Sequence, residues 1–153
     1  MNNELSLKTA LYNACVNGVG KRLEAIKHAI NDIQESLTSE TKSSAGDKHE
    51  TGRAMLQLER EKSGNQLAEI QKLQGVLSKI RLDKKLEHVS LGAVVFTTQA
   101  NYFISVSAGE INYESQRFYA ISSSAPIGQL LMGKKVGDEI IFRGQTIIIE
   151  QII

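Results

Sequence analysis

Apolar residues at Val16, Val19, Leu23, Ile26, Ile30, Ile33 and Leu37 recur at alternating steps of three and four. Such spacing places them on one seam of an α-helix and is the heptad signature of a helix that packs along a partner helix. A second segment repeats it at Leu67, Ile70, Leu73, Leu77 and Ile80, with Met55 and Leu56 nearer its start. Both segments are rich in Lys, Glu, Gln and Asn, which suit the solvated face. Two seams joined by one polar connection predict an antiparallel helical hairpin. Helices of about 30 to 35 residues would reach roughly 45–50 Å, so the hairpin is expected to project from the rest of the chain. A bundle between separate molecules is the alternative that this pattern leaves open.

Near residue 86 the period changes. VSLGAVVFTT, NYFISVSAG, RFYAISSS, DEIIFRG and QTIIIEQII are short, rich in β-branched and aromatic residues, and punctuated by Gly, Ser and Asn. Arg143-Gly144-Gln145 between two apolar strands predicts a tight hairpin turn. Pro126, the one proline, opens PIGQLLMGKK, where Pro suits a first helical turn and Gly133 an exit. The expected fold is therefore α+β. An antiparallel coiled-coil hairpin over residues 1–85, with a polar acidic tip near 40–53, precedes a small β-sheet domain with one short helix over 86–153. No Ser- or Pro-rich linker separates them, and the junction is expected near Lys84–Glu87.

The seams stop on either side of SSAGDKHETGRA, residues 43–54, which holds no large apolar side chain. Ser43, Ser44, Ala45 and Gly46 suit a turn. Asp47 then fits the N-cap of the second helix, with Glu50 completing a capping-box-like Asp-x-x-Glu, and both charges favour the positive end of that helix. The same spacing projects both carboxylates to one side. Such hard oxygen donors suit Mg²⁺, which is usually held by one or two carboxylates with phosphates and waters completing the shell. An exposed pair alone is a poor magnesium site; it becomes useful if delivered to a metal-and-phosphate centre elsewhere.

Other chemistry finds little support. The formal net charge of +1 argues against a bulk electrostatic grip on nucleic acid, while leaving room for a local contact. The single cysteine, Cys15, excludes an internal disulfide, suits a reducing compartment and reads as a small buried hydrophobe. His28, His49 and His88 have no zinc-site spacing, and no Walker- or Rossmann-type glycine loop occurs. Neither a secretory signal nor a run near the roughly 20 apolar residues of a membrane span is present, so the cytoplasm is the expected location.

Together the two halves resemble the bacterial Gre transcript-cleavage factors, which pair an N-terminal antiparallel coiled coil with a C-terminal FKBP-like domain. Gly46, Asp47 and Glu50 match the family's tip pattern of Gly-Asp, two residues, then Glu. YAISSSAPIGQLLMGKKVGDEIIF is similar to the family's C-terminal stretch through Pro126, Ile127, Leu131, Gly133, Lys134, Gly137 and Asp138. Thr51, Gly52, Arg53 and Ala54 depart from it: the family usually continues with Asn, a small residue, then Glu-Tyr. Ala125 also stands where the family often has Ser.

The resemblance implies a monomeric transcription elongation factor of RNA polymerase that is not itself an enzyme. It would insert its tip through the secondary channel and stimulate the polymerase's own Mg²⁺-dependent cleavage of backtracked RNA. Asp47 and Glu50 would share Mg²⁺ with the polymerase and assist its active site. Ser124, Pro126 and Ile127 would dock on the polymerase's largest subunit. Lys42, Lys48 and Arg53 would contact the extruded RNA 3′ end, with Glu40 a further tip acid; an ordinary solvated face is the alternative for the three basic residues. Three other readings remain: a channel occupant that binds or inhibits without promoting cleavage, an FKBP-like prolyl isomerase with a helical appendage, and a plain interaction scaffold.

Overall fold

The computed structural model describes residues 2–42 and 46–153, and the side chains of 3–39 and 50–153. Two helices, α1 (Asn2–Lys42) and α2 (Gly46–Ser78), form the N-terminal hairpin. Six strands follow: β1 (Val94–Thr97), β2 (Asn101–Ser105), β3 (Gly109–Tyr113), β4 (Gln116–Ser122), β5 (Glu139–Phe142) and β6 (Gln145–Ile152). A short helix, α3 (Pro126–Leu131), lies between β4 and β5. The expected α+β architecture is thus observed. Among the described residues no helix is long and apolar enough to cross a membrane. By contact the chain forms two compact units, one of residues 1–18 and 75–153, the other of Val19–Gln74.

In the hairpin unit, Val19, Ile26 and Ile70 are buried, while Leu23, Ile30, Ile33, Leu37, Leu67 and Leu73 are partly covered. Two helices alone offer each other a narrow seam, so half-burial is what heptad positions achieve there. Met55, at the start of the second seam, is 62% exposed.

The helices begin and end differently from the sequence expectation. α1 starts at Asn2, and its first buried stripe is Leu7, Leu11, Cys15 and Val19, at steps of four. Val16, expected on the seam, lies one residue (about 100°) off that stripe and is 40% exposed. Ile80, expected on the second helix, lies beyond α2, in a turn closed by Ile80 N–H donating to the Leu77 carbonyl at 3.2 Å.

The sheet has strand order β3-β4-β2-β1-β6-β5, with β2–β4 parallel and all other pairings antiparallel. Alternation along the strands divides the apolar residues between its faces. Val95, Ile104, Ile140, Ile147 and Ile149 form a cluster with Ile127 and Leu131 of α3 and with Val89. Phe103 and Phe118 are fully buried on the opposite face, where Cys15 Sγ meets Ser105 Oγ at 3.5 Å. Cys15 is therefore the buried small hydrophobe its place on an amphipathic helix suggested, and burial pushes its thiol pKa up.

Arg143 and Gly144, at φ 53° and 78°, make the two-residue turn between β5 and β6, closed by the Phe142↔Gln145 pair. Positive φ at both central residues marks the turn type that matches strand twist. Glu114 and Ser115 do the same between β3 and β4, at φ 47° and 66°. Neither is Gly or Asn, so the turn carried no signal and β3, an exposed edge strand, was not anticipated. Gly128 allows α3 to approach the end of β4: a Cβ there would collide with the Ser122 carbonyl oxygen. Gly20, inside α1, has open space at its Cβ position.

Lys8 is 3% exposed, its Nζ donating to the Lys84 carbonyl at 3.4 Å. Desolvation lowers its pKa, partly offset by Glu4 and Asp83. A lysine with a folded-state pKa below its unfolded one binds fewer protons when folded. Its burial penalty is thus full below the folded pKa and fades as pH rises towards the ordinary lysine value.

Two outcomes follow from this packing. In urea denaturation followed by circular dichroism, Gly128→Ala should lose about 2–3 kcal/mol through overpacking, whereas Gly20→Ala should gain about 0.5–1 kcal/mol from helix propensity. Lys8→Met should raise the melting temperature at neutral pH, with the gain shrinking as pH rises into the lysine range; a gain independent of pH would mean that the desolvated charge is not its source.

Candidate functional site

The carboxylate pair sits where α2 begins. The described part of the helix opens at Gly46, and Asp47 lies in its first turn. Glu50 follows three residues later on the same helix and is exposed. Helical geometry brings Cβ atoms at this spacing to about 5–6 Å, on one side of the helix. The side chains of Glu40, Lys42, Asp47, Lys48 and His49 lie outside the described residues; their backbones close α1 or open α2.

Arg53 has a definite partner. It is half-buried, and its Nη1 donates to the Leu37 carbonyl of α1 at 3.4 Å. The residue that departs from the family pattern therefore ties the two helices together, a role that its position two turns into α2 makes available. Expected as an RNA contact, it is engaged within the hairpin.

Among the described residues no three of His, Cys, Asp or Glu converge as a metal-binding group. Asp47 and Glu50 are hard carboxylates of the type magnesium accepts, and a pair of them is too few to hold that ion without further ligands.

The second region is the approach to α3. Ser124 and Pro126 are exposed, as a docking role requires. Ser122 Oγ and Ser124 Oγ lie 2.8 Å apart, Ser124 N–H donates to Ser122 Oγ at 3.1 Å, and Gln129 Nε2 donates to the Ser124 carbonyl at 2.9 Å. These bonds pin the loop before the helix and account for the serine run without any nucleophilic role. Ile127, expected to face a partner, instead turns inward, 8% exposed, as part of the core cluster. The apolar side chains exposed beside it are Leu130 and Met132, which the sequence reading did not single out. Ile127, Leu130 and Leu131, at i, i+3 and i+4, share one side of the helix by period, so spacing did not separate the buried pair from exposed Leu130.

No family model matches the chain, and no curated protein matches it. Among solved structures it is similar to one described as the structure of the transcription factor Gfh1, at 18% identity over 94% of this chain and 93% of that one, with a TM-score of 0.34. Superposition that loose carries no argument about function, which must rest on the residues themselves.

Arg53→Ala should loosen the end of the hairpin. Amide hydrogen exchange should quicken several-fold around residues 34–41 and 53–57, consistent with a net loss of about 0.5–1.5 kcal/mol per hydrogen bond, while exchange in the sheet stays unchanged.

Proposed function

We propose that this chain is a Gre-like transcription factor that binds RNA polymerase in the cytoplasm and lends two carboxylates to the polymerase's own RNA cleavage. One observation carries the reading: two long helices form a hairpin whose second helix opens with Gly46-Asp47-x-x-Glu50, in a chain whose sheet unit bears a Pro126-opened helix matching the same family's C-terminal motif. Each motif is short, and their agreement is what gives them weight.

In this reading α1 and α2 present Asp47 and Glu50 at the end of the arm that enters the secondary channel. Their carboxylate oxygens complete the site from one side and orient a water towards the RNA phosphodiester. Magnesium, when held jointly with the polymerase, supplies activation of that water and stabilisation of the leaving oxygen. The loop at Ser124 and Pro126, stiffened by its serine hydrogen bonds and flanked by Leu130 and Met132, docks the sheet unit on the polymerase's largest subunit. Lys42 and Lys48 flank the acids in sequence and face the extruded RNA. The chain contributes groups to another enzyme's active site and turns over no substrate of its own. Phe103 and Phe118, the fully buried aromatic residues of the sheet unit, are unavailable to line an isomerase cleft.

A second reading is favoured by Arg53. With a base in place of the family's acid, bonded to the Leu37 carbonyl, the tip has fewer negative charges with which to hold a metal. Such a tip occupies the channel and slows the polymerase without promoting cleavage.

The deciding experiment mixes the protein and Mg²⁺ with halted, backtracked elongation complexes and follows RNA shortening. Wild type should accelerate shortening, and Asp47→Ala and Glu50→Ala should each lose at least about tenfold, 1.4 kcal/mol or more, while still binding. Binding without cleavage would establish the second reading. Absence of binding would defeat both.

A further inference from the structure

β3 (Gly109–Tyr113) ends the sheet, with β4 on one side and, among the described residues, no strand on the other. Gly109, Glu110 and Asn112 are exposed there, and Ile111 and Tyr113 are half-buried. Edge strands of soluble chains are usually blunted by lysine or proline. β3 contains neither, and Glu110 is its one charged residue.

The hydrogen-bond pattern fixes which backbone groups this edge offers. Tyr113 and Gln116 flank the two-residue turn at Glu114 and Ser115, which makes them a hydrogen-bonded pair. Bonded and non-bonded pairs alternate along an antiparallel ladder. Ile111 therefore bonds to Phe118, while the N–H and C=O of Glu110 and Asn112 point away from β4. Beside them, Glu110 Oε1 pairs with Arg117 Nε at 3.3 Å. Asn112 Nδ2 reaches Glu110 Oε2 at 3.4 Å, a long contact between exposed groups.

Three two-fold antiparallel registers would pair these outward groups with those of a second copy. Centred on Glu110, the two Glu110 side chains oppose each other; centred on Asn112, Glu110 opposes Glu114 of the other copy. Like charges directly opposite destabilise a sheet. Centred on Ile111, each Glu110 faces Asn112 of the other copy, whose side-chain amide donates to a carboxylate. Each such pair exchanges both backbone hydrogen bonds. The same register sets Ile111 against Ile111 and Tyr113 over Gly109, an apolar pair and an aromatic ring covering a glycine.

We propose that β3 pairs with β3 of a second copy of this chain, antiparallel about Ile111, so that the two sheets run on as one. Self-complementary charge is what selects a second copy as the occupant. With five residues on each side, the interface lies at the small end, below roughly 1,200 Å², so the association is reversible and needs high protein concentration. The edge shares no residue with the carboxylates of α2, and its test needs no polymerase.

Sedimentation equilibrium of the full chain, from about 10 to about 500 μM, reads the association directly. The mass should rise from 16.8 kDa towards twice that value. Asn112→Glu sets carboxylates opposite each other twice in each dimer and should weaken association about tenfold. Adding Glu110→Lys restores opposite charges and should bring it back, which a merely misfolded edge would not allow. Cross-linking reads the register: Ile111→Cys should give a disulfide-linked dimer under mild oxidation. Asn112→Cys should not, because two residues of offset on each strand hold its counterpart beyond disulfide reach. Cys15, being buried, does not compete. A mass fixed at that of one chain overturns the proposal and leaves the edge to a strand of a different protein. A dimer that Asn112→Glu leaves unchanged, or one that Asn112→Cys cross-links as well as Ile111→Cys, overturns it too.

Discussion

The first turns of α1 belong to the sheet unit, and the rest of the structure depends on that. Leu7, Leu11 and Cys15 recur at steps of four and are buried, with Cys15 meeting Ser105 on the sheet face opposite α3. Their burial, about 1.5–3 kcal/mol for a large aliphatic side chain, gives the sheet its second cover. Without it Phe103 and Phe118 would face water. Tyr12 Oη donating to the Leu77 carbonyl at 3.2 Å and Lys8 Nζ reaching the Lys84 carbonyl fasten the same stretch to the end of α2 and the segment after it. The first turns of α1 and the end of α2 are thus held within the sheet unit by tertiary contacts. The hairpin's seam of half-covered side chains would be a weak basis for stability alone.

The two units differ in how they are held. The sheet unit concentrates burial and backbone pairing, whereas the described seam of the hairpin unit is mostly half-covered. Arg53 illustrates the constraint. Within the hairpin unit the two helices are joined by a side chain reaching a carbonyl, so a residue in the region of the motif also serves the integrity of the hairpin. A substitution there alters charge and geometry together, and exchange data are needed beside activity data to separate them.

Much of the fold was legible. Steps of three and four gave the hairpin, short β-branched runs gave five of the six strands, and Pro126 and Arg143-Gly144 marked a helix start and a turn. The failures have physical causes. Val16 fell off the buried stripe because near its root α1 answers to a sheet rather than to a helix, and the stripe follows steps of four. β3 escaped because an exposed edge strand needs no apolar alternation and its turn residues, Glu114 and Ser115, adopt positive φ without the usual Gly or Asn. At the candidate site, the helix start that carries Asp47 and Glu50 was readable from the turn residues and the return of the period. The inward turn of Ile127 was not, because a single short helix does not announce which of its apolar residues faces the core.

The sequence by itself determined the periods, and through them the hairpin, the sheet-forming runs and the placing of two carboxylates three residues apart at a helix start. These are local properties, set by backbone geometry and the order of side chains. Only the tertiary structure decided which apolar residues are covered, that Arg53 reaches Leu37, and that β3 lies at an edge of the sheet. Those outcomes depend on contacts between distant segments, where burial and hydrogen-bond satisfaction act on the assembled surface and leave no period in the chain.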